Sequence, residues 1–407
     1  MSELDVPPRS ADRDRARIVV ITRTFPKLSE TFVTDHVRAL REAGHDVTVV
    51  ARRIDRARLE AEFGVTIAAF ALPSWGRLGP AATLAAVRGA LAWLGRHRPL
   101  APRRAAWKHA LYGQRLRAVL AALEPDLVHA HFGPSGIDAG IALDGASTPL
   151  ACNFHGFDAT SFPRAHGWAL YRASLSRATL VAHSDFMERQ LVENGLPRPQ
   201  RVRLGVDRAL FRARPRAARW DAPVRLVTVG RLERKKGQAL AIETLAQLRR
   251  RVPHLDFRLR LIGAGSQAEP LRRQVETLGL GAFVEGPAPA SHAEVAAALE
   301  AADLALVPSR VGADGWQESF CRVVIEAMAC GLPVVATPTG GLPDTVDTGG
   351  TIAAGTTADA LADAVLATIE RHDPAEWQRR VTARAAEFDI SRMDGDYVAL
   401  AERLLGR

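Results

Sequence analysis

The chain has 407 residues, 47% of them hydrophobic and 24% charged, with a formal net charge of +9. This length exceeds one ordinary hydrophobic core and predicts two domains, and the composition is that of a globular protein. Residues 1–16 are polar and carry both signs of charge, so we expect a disordered N-terminus and no signal peptide.

Cysteine usage and hydropathy indicate the compartment. Cys152, Cys321 and Cys330 are scattered, form neither a disulfide framework nor a metal-binding pattern, and are expected to be buried in a reducing cytoplasm. The longest apolar run, Ala81 to Gly95, contains Arg88 and is too short to cross a bilayer. We therefore expect a cytoplasmic protein.

The first half of the chain alternates short apolar runs with a helical pattern. Strands are predicted at Arg17–Thr22, Asp46–Val50, Leu127–His131, Leu150–Phe154 and Ala178–Ala182, with a helix from Thr31 to Ala43. This order predicts a doubly wound parallel sheet. We therefore expect a Rossmann-like domain over residues 17–205.

The same order returns after a linker rich in Pro and Arg at residues 196–221. Strands are predicted at 225–229, 257–262, 303–307 and 333–336, with helices at 238–251 and 269–279. They predict a second Rossmann-like domain over residues 206–385, so the fold class is α/β, with two doubly wound domains facing a central cleft. Within residues 386–407 we predict a helix that packs back on the first domain.

A basic segment lies in the first half. No Asp or Glu occurs between Phe63 and Leu123, and the nine cations of that window equal the net charge of the chain. They are Arg77, Arg88, Arg96, Arg98, Arg103, Arg104, Lys108, Arg115 and Arg117, with Trp75, Trp93, Trp107 and Tyr112 between them. Such a segment is typical of a surface for anionic lipid, so residues 75–117 are predicted to contact a membrane. The alternative is a solvated helix face in an arginine-rich chain.

Lysine is rare in this chain, which has four lysines against fifty arginines. Two of the four are adjacent, in the segment Gly230-Arg-Leu-Glu-Arg-Lys-Lys-Gly237 that follows a predicted strand. Gly230 lets a ligand approach the backbone at the carboxyl edge of the sheet, where open α/β sheets bind ligands. Arg231 and Lys236 in this loop suit a diphosphate. Taken alone, the segment also fits a solvated charged turn.

The strongest signal is a pair of glutamates, Glu318 and Glu326. A helix is predicted from Val323 to Ala329, which places Glu318 near the helix N-terminus with the amides of residues 319–321 exposed. Glu326 is expected about two turns further on. Its neighbours there are apolar, and a buried carboxylate needs a polar partner such as a ribose diol. Recognition of a diphosphate together with hydroxyls indicates a nucleotide sugar.

These segments resemble the retaining glycosyltransferase family 4, whose members have the two-domain GT-B fold. The resemblance covers most of the chain. In the second half it rests on residues 230–237, 261–265, 308–318, 326–336 and 339–343. In the first half, residues 25–33, 128–133 and 154–158 are similar to the branch that builds exopolysaccharides, typified by the colanic acid and amylovoran enzymes.

The resemblance implies how the donor is bound. Arg231 and Lys236 would hold the diphosphate, and Glu326 the ribose hydroxyls. Glu318 would contact the hydroxyls of the donor sugar. The implied donor site comprises Gly230, Arg231, Lys236, Gly263, Glu318, Ser319, Phe320, Cys321 and Glu326.

The resemblance also implies catalytic and acceptor-side residues. His155 would lie beside the reacting centre, and the implied catalytic set is His155, Glu318, Arg231 and Lys236. The implied acceptor side comprises Ser29, Glu30 and His131. The sequence nominates no carboxylate nucleophile, and the family's usual explanation of retention is attack on the face from which the diphosphate leaves.

The prediction is a retaining glycosyltransferase that moves a sugar from a nucleotide-diphosphate donor to a growing, lipid-linked saccharide in exopolysaccharide or related glycan synthesis. We expect no cofactor, no metal requirement, no nucleic-acid partner, and a peripheral position on the inner face of the membrane. The alternatives are a nucleotide-sugar epimerase of the same fold and a non-catalytic basic protein that binds lipid or nucleic acid. Gly263-Ala-Gly265 also fits a dinucleotide fingerprint, and His129 with His131 fits part of a zinc site, but neither has the further residues such sites need.

Overall fold

The computed structural model describes residues 15–407 apart from 28–29, 64–67, 72–78, 101–103, 217–219 and 221–222. Contacts divide the chain into two compact units. The first comprises the residues up to His183, Met187–Val202 and Asp394–Arg407, and the second comprises Ser184–Phe186 and Arg203–Met393. Each unit is built around its own parallel sheet, which confirms the predicted α/β class with two Rossmann-like domains.

The first sheet contains seven parallel strands among the described residues. They are β1 (Arg17–Phe25), β2 (Asp46–Ile54), β3 (Ala68–Ala71), β4 (Leu127–His131), β5 (Leu150–Asn153), β6 (Thr179–Ala182) and β7 (Gln200–Arg201). Their order is β3-β2-β1-β4-β5-β6-β7, so the direction of strand addition reverses between β1 and β4. Ligands of open α/β sheets bind at the carboxyl ends of the strands near such a reversal.

Helices cover both faces of the first sheet. They are α1 (Thr31–Glu42), α2 (Arg56–Phe63), α3 (Pro80–Arg96), α4 (Arg104–Leu123), α5 (Gly133–Ala142), α6 (Ser161–His166), α7 (Ala169–Leu175) and α8 (Asp185–Glu193). Ile18 packs in one core with Leu40 of α1, and its neighbour Val19 packs in the other core with Leu116 of α4. Both faces of β1 are buried, as its continuous apolar run requires.

The second sheet has six parallel strands in the described part of the chain. They are β8 (Val224–Val229), β9 (Phe257–Ile262), β10 (Val284–Ala288), β11 (Leu304–Val307), β12 (Val334–Ala336) and β13 (Gly350–Ile352). The order is β10-β9-β8-β11-β12-β13. The helices are α9 (Gln238–Arg251), α10 (Ala268–Thr277), α11 (His292–Ala301), α12 (Arg322–Ala329), α13 (Leu342–Val346), α14 (Ala358–Arg371), α15 (Pro374–Ala385) and α16 (Ile390–Leu404).

The two ends of the chain both contribute to the first unit. Residues 1–14 of the predicted disordered segment lie outside the described residues, but its last two are ordered: Arg15 pairs with Asp46 at 2.7 Å and Ala16 is buried. The first contact-based division falls after Val202, close to the predicted boundary at 205, but the second falls after Met393, so residues 386–393 belong to the second unit and not, as predicted, to the segment that packs on the first. Helix α16 therefore belongs to the first unit from Asp394 onward. In the described ranges, no helix combines the length and apolarity that crossing a bilayer requires.

Candidate active site

Glycines lock together two loops at the carboxyl edge of the second sheet. Gly237, in the loop after β8, has φ of +72°, and a Cβ there would lie 1.8 Å from the carbonyl oxygen of Pro308. Glycine permits both the conformation and the approach. The Arg310 N–H also donates to the Lys235 carbonyl at 2.8 Å. The lysine-bearing loop is therefore held against the loop that leads from β11 to Glu318.

Lys236 and Glu318 form a largely buried ion pair where these loops meet. The Lys236 Nζ donates to Glu318 Oε2 at 2.6 Å, and Ser309 Oγ donates to the same oxygen at 3.3 Å. The side chains are 19% and 7% exposed. Burial lowers the pKa of Lys236, but the Glu318 carboxylate outweighs that effect and holds the pKa above its usual value. Lys236 is therefore a cation throughout the physiological pH range.

Arg231 and Lys235 lie nearer to solvent. Arg231 pairs with Glu233 while 55% of its side chain stays exposed, and Lys235 Nζ lies 3.2 Å from the same carboxylate. The ammonium groups of Lys235 and Lys236 lie 4.6 and 5.2 Å from the ring centroid of Trp316. Cation–π attraction at these distances orders both lysines. Arg231 remains exposed enough to meet an anion arriving from solvent.

Glu318 lies outside helix α12 and near its N-terminus, where the predicted helix from Val323 to Ala329 places it. The helix begins at Arg322, with Cys321 as its N-cap. The backbone before it is held elsewhere, because the Gly341 N–H donates to the Glu318 carbonyl at 2.7 Å. A Cβ at Gly340 would lie 2.0 Å from that same oxygen. The two glycines of residues 339–341 therefore fix the position of Glu318.

Ser319, Phe320 and Cys321 are buried, with 2%, 9% and 7% of their surfaces exposed. The Phe320 ring packs against Phe388, with centroids 5.8 Å apart. Burial raises the pKa of the Cys321 thiol to about 12. These three residues lie between Glu318 and the first turn of α12, as the predicted helix over 323–329 places them. They shape the wall beside Glu318.

Glu326 is buried on α12, as the sequence predicts, with 7% of its surface exposed. Its protein partner is Arg322, one turn earlier, whose Nε lies 3.7 Å from Glu326 Oε1. Burial raises the pKa of Glu326, and the Arg322 guanidinium opposes the rise. A carboxylate with one long ion pair retains acceptor capacity for hydroxyl donors.

Gly230 and Gly263 end the adjacent strands β8 and β9. Gly263 has φ of +148°, and a Cβ there would lie 1.9 Å from the Gly230 carbonyl oxygen. Both the backbone conformation and the close approach of the two strand ends therefore require glycine at position 263. At Gly230 the nearest atom to an added Cβ is the Nε2 of Gln238, at 3.8 Å. The space next to the backbone at the end of β8 is therefore open at Gly230.

In the first unit, His155 lies on a loop after β5 that the Asp158 carboxylate braces. Asp158 accepts backbone N–H bonds from Gly133 at 3.0 Å, His155 at 2.9 Å and Gly156 at 2.7 Å. Burial raises the pKa of Asp158 to about 6, and these N–H groups oppose the rise. The Phe32 ring stacks on His155 with centroids 4.2 Å apart. Both the backbone and the ring of His155 are therefore fixed.

Three imidazoles form a hydrogen-bonded chain that ends at His155. His131 Nδ1 lies 3.0 Å from His155 Nε2, and His131 Nε2 lies 2.8 Å from His36 Nδ1. Burial lowers the pKa of all three rings, and neighbouring histidines lower it further. A neutral imidazole donates through one nitrogen and accepts through the other. The tautomer of His155 is therefore tied to that of His36.

Two more histidines complete this cluster. His129 Nε2 lies 2.8 Å from Asn153 Oδ1, and His183 Nδ1 lies 2.7 Å from the Val202 carbonyl. Burial lowers the pKa of both rings to about 4. Asn153 donates in turn to the Tyr397 hydroxyl of α16 at 2.6 Å. Over the described ranges, no group of three or more His, Cys, Asp or Glu side chains is arranged to hold a metal ion.

Of the predicted acceptor-side residues that the structure describes, His131 is the one whose position differs from the prediction. His131 is fully buried, and both its nitrogens meet other imidazoles, so it supports His155 instead of facing an acceptor. Glu30 is partly exposed, and its carboxylate pairs with Lys27. Ser29 lies outside the described residues.

The basic segment 75–117 is a surface only in part. Trp93 is 1% exposed and belongs to the core, and Arg115 is 6% exposed, with its guanidinium 5.3 Å from the Tyr112 ring. Arg117 donates to the carbonyl of Asp144 at 3.0 Å. The prediction that the whole segment contacts a membrane does not hold for Trp93 and Arg115, because both side chains are buried. Trp75, Arg77 and Arg103 lie outside the described residues.

Helix α3 does present an exposed face within this segment. Leu84 and Leu91 are each 51% exposed, and Arg88, which lies between them at helical spacing, is also exposed. Trp107 of α4 is 36% exposed. The exposed part of the segment is therefore apolar with interspersed cations.

Four contributors were missed by sequence reasoning: Ser309, Trp316, Arg322 and His36. Ser309 follows the strand end before Glu318, and Arg322 lies one turn before Glu326, so both were detectable from spacing. Trp316 lies in the glycine-containing loop before Glu318. His36 has no local signal, because its partner His131 is 95 positions away.

Comparison with known proteins gives consistent matches. The sequence profile described as "Glycosyl transferases group 1" matches residues 213–387, and that described as "Glycosyltransferase Family 4" matches residues 29–210. WcaL of Salmonella typhimurium, assigned to colanic acid biosynthesis as a glycosyltransferase, is 33% identical over 350 residues. The match covers 80% of this chain and 83% of WcaL.

A further relative and two solved structures extend the comparison. A GDP-mannose-dependent phosphatidylinositol monomannoside mannosyltransferase of Mycolicibacterium smegmatis is 40% identical over 160 residues, 39% of this chain and 41% of its own. HepE of Anabaena, crystallised with UDP, superposes with a TM-score of 0.71 at 20% identity, covering 96% of this chain and all of HepE. WaaG, from lipopolysaccharide biosynthesis, superposes with a TM-score of 0.64 at 16% identity, over 94% of this chain and 99% of WaaG. Both structures share the fold.

Proposed function

Because this chain belongs to glycosyltransferase family 4 and has the GT-B fold, we propose that it transfers a sugar from a nucleotide-diphosphate donor to a lipid-linked saccharide with retention of configuration. Glycosyl transfer follows from family membership, and the donor, stereochemistry and acceptor are our proposal. One observation carries it: a fixed ammonium and a carboxylate, Lys236 and Glu318, lie 2.6 Å apart at a strand edge.

The second unit is the proposed donor site. Lys236 and Arg231 neutralise the diphosphate, Glu318 accepts hydrogen bonds from the sugar, and Glu326 accepts them from the ribose. Without a donor, Lys236 and Glu318 satisfy each other, so binding exchanges one charge-assisted hydrogen bond for others. The UDP in the HepE crystal favours a nucleotide ligand for this fold.

The proposed reaction needs no protein nucleophile. The bond from C1 to the diphosphate oxygen breaks while the acceptor oxygen bonds to C1 on the same face, and the acceptor proton passes to the leaving phosphate. Lys236 and Arg231 stabilise the charge that develops on the diphosphate. His155, held in one tautomer by its neighbours, hydrogen-bonds the donor sugar or supports the oxocarbenium-like centre through its backbone carbonyl.

We propose that the two cations make a metal ion unnecessary. The reason is that a guanidinium and an ammonium already supply two positive charges to the diphosphate. A chelator should leave activity unchanged. Activity that EDTA abolishes and magnesium restores would contradict this part of the proposal.

The proposed acceptor is lipid-linked, and the enzyme is proposed to act peripherally at the inner membrane face. WcaL is assigned to colanic acid biosynthesis, and the mycobacterial relative is named for a phosphatidylinositol mannoside acceptor. On α3, Leu84 and Leu91 flank Arg88 on an exposed face. Apolar side chains with an adjacent cation fit the interface of an anionic membrane.

A donor screen followed by a transfer assay tests the function. Thermal shift with uridine and guanosine nucleotide sugars identifies the donor, and the labelled donor is then incubated with a prenyl-linked saccharide. We expect transfer with retention, read by the anomeric coupling in the product. Isomerised donor without transfer would instead show an epimerase. If neither transfer nor isomerisation occurs, a non-catalytic binding protein is favoured. A product with inverted configuration would refute retention.

Vesicle flotation tests the membrane position separately. We expect more protein to float with anionic than with neutral liposomes. The Arg88→Gln variant should show a smaller preference for anionic liposomes. Arg273→Gln, an exposed arginine of the second unit, is the matched control. Equal flotation on both kinds of liposome would remove the membrane assignment without affecting the transfer assay.

A further inference from the structure

A cavity of about 1030 Å³ lies in the first unit between α4 and α6, apart from the residues discussed so far as donor ligands. Its walls include Arg104, Trp107, Lys108, Tyr112, Phe162 and His166. This volume is at the upper end of ordinary small-molecule sites.

The topology places this cavity at the carboxyl edge of the first sheet. Helix α4 leads directly into β4, so α4 begins near the end at which β4 stops, and α6 follows the loop after β5. The Phe162 ring meets His109 edge-on with centroids 6.0 Å apart, which joins the two helices. The carboxyl edge is where open α/β sheets bind ligands.

The cavity is firmly built on the side of α4. His109 Nδ1 lies 2.6 Å from Asp138 Oδ1, and the Arg52 guanidinium donates to the other oxygen of that carboxylate at 2.6 Å. The same guanidinium lies 4.0 Å from the centre of the Tyr112 ring. The aromatic wall is therefore held by an ion-paired network beneath it.

The charge of the cavity is positive. Arg104 and Lys108 are exposed and have no ion-pair partner among the described residues, and no Asp or Glu belongs to the lining. Lys108 is one of only four lysines in a chain with fifty arginines. A compact ammonium beside a guanidinium suits a phosphate. Trp107, Tyr112 and Phe162 add a large apolar surface, so the complementary ligand is an anion with an apolar body.

We propose that this cavity binds the prenyl phosphate end of the acceptor lipid, with Arg104 and Lys108 on the phosphate and Trp107 and Phe162 on the first isoprene units. The inference rests on the proposed function, because it names the acceptor class of that reaction. Phe162 lies seven positions after His155, and its N–H donates to the Phe157 carbonyl at 2.8 Å within the same loop. Binding on this wall therefore places the acceptor next to the loop that carries His155.

Titration calorimetry on the full chain tests the proposal with three probes: farnesyl diphosphate below its micellar concentration, inorganic pyrophosphate and farnesol. We expect farnesyl diphosphate to bind at least tenfold more tightly than either fragment, since both the charged and the apolar parts of the cavity are used. Lys108→Gln and Arg104→Gln should each weaken it about fivefold, as the loss of one cation near an anionic lipid predicts. Trp107→Ala should weaken it without changing the affinity for pyrophosphate.

Controls separate this cavity from the donor site. Arg273→Gln, which removes an exposed cation of the second unit, should leave farnesyl diphosphate binding unchanged, as should Lys236→Ala. Displacement by UDP would overturn the proposal, because it would place the probe in the donor site. Binding that Lys108→Gln and Trp107→Ala leave unchanged would also overturn it. UDP binding that depends on Lys236, without any binding of farnesyl diphosphate, would refute the cavity assignment and leave the proposed donor site standing.

Discussion

Around His155 the first unit buries a connected set of neutral imidazoles, whereas around the lysine-bearing loop and α12 the second unit buries ion pairs. In the first, His36, His131 and His155 are joined ring to ring. In the second, Lys236 contacts Glu318 and Arg322 contacts Glu326. Both arrangements reduce the free-energy cost of burying ionisable groups. The imidazoles do so by remaining neutral, and the lysine, arginine and glutamate side chains do so by forming ion pairs.

The difference follows the chemistry proposed for each unit. A diphosphate and its developing charge need permanent cations, and Lys236 remains charged because Glu318 outweighs the effect of burial on its pKa. A group beside a reacting sugar needs a defined orientation more than a charge. The His155 ring obtains it from stacking and from a neutral hydrogen-bonded neighbour. The two units should therefore respond differently to pH and to loss of charge.

Acid should destabilise the first unit most. Burial lowers the pKa of His129 and His183 from 6.5 to about 4, so between these values the unfolded chain binds protons that the folded chain does not. The free energy of unfolding therefore falls as pH drops from 6.5 toward 4, by roughly 3 kcal/mol for each ring. Asp158 opposes the fall, because its pKa is raised to about 6 and the folded chain holds its proton more tightly. One carboxyl against five imidazoles leaves a net loss of several kcal/mol.

Amide hydrogen exchange, corrected for the pH dependence of the intrinsic exchange rates, measures the stability of each unit as a function of pH. Peptides covering β4 should lose protection between pH 7 and pH 5, while those covering β8 should change little. His129→Asn, which removes one titrating ring, should flatten the pH dependence of the first unit. Parallel loss of protection in both sheets would contradict the contrast between the two units.

Removal of the central cation should have the next largest effect. We expect Lys236→Ala to lower kcat/KM about 100- to 1000-fold, as expected when one electrostatic stabiliser of a transition state is lost. The variant should also unfold more easily, by roughly 3 kcal/mol, because Glu318 is left as a buried, unpaired carboxylate. Lys235→Ala is the matched control, since that lysine pairs with Glu233, and should lose less than tenfold. Similar losses in both variants would mean that the loop needs positive charge in general and no particular ammonium.

Substitution of Glu326 should have a smaller effect and tests the binding of the donor. Glu326→Ala should weaken donor binding by about 2 kcal/mol through lost charge-assisted hydrogen bonds, and Glu326→Gln by less because one acceptor oxygen remains. Since burial raises the pKa of this carboxyl, its contribution to stability declines as pH rises through its titration, opposite in sign to that of the imidazoles. Calorimetry with the donor from the screen gives the affinity. An unchanged affinity for Glu326→Ala would end its assignment to the ribose.

Local sequence patterns predicted the elements that carry the site. Helix α9 runs from Gln238 to Arg251, as its periodicity and the preceding Gly237 indicate. The strand ends at Gly230 and Gly263 were also found, because a glycine after a β-branched apolar run is a local signal. These patterns extend over a few residues, and a single sequence contains them completely.

Contacts between distant segments could not be predicted in the same way. The sequence places Glu318 just before a helix, but it does not show that Gly340 and Gly341, more than twenty positions later, hold the Glu318 backbone there. The resemblance places His131 on the acceptor side, but strand alternation shows only which residues share a face and not what covers that face. Here α1 covers it and supplies His36. Tertiary packing therefore converted a predicted ligand into a supporting residue.

His36 gives the smallest and most specific test of the first unit. His36→Phe should leave the Nε2 of His131 buried without its partner and cost about 1 to 2 kcal/mol of stability. It should also lower kcat several-fold with little change in KM for the donor, because the tautomer and orientation of His155 are no longer fixed through His131. His36→Asn is the matched control, since its amide lies where Nδ1 lay and can still bond to His131. A kcat that is retained in the His36→Asn variant but not in the His36→Phe variant would support a role of His36 in positioning His155 through the hydrogen-bonded imidazoles. Loss of stability in His36→Phe with kcat intact would show that the imidazole chain only fills the core.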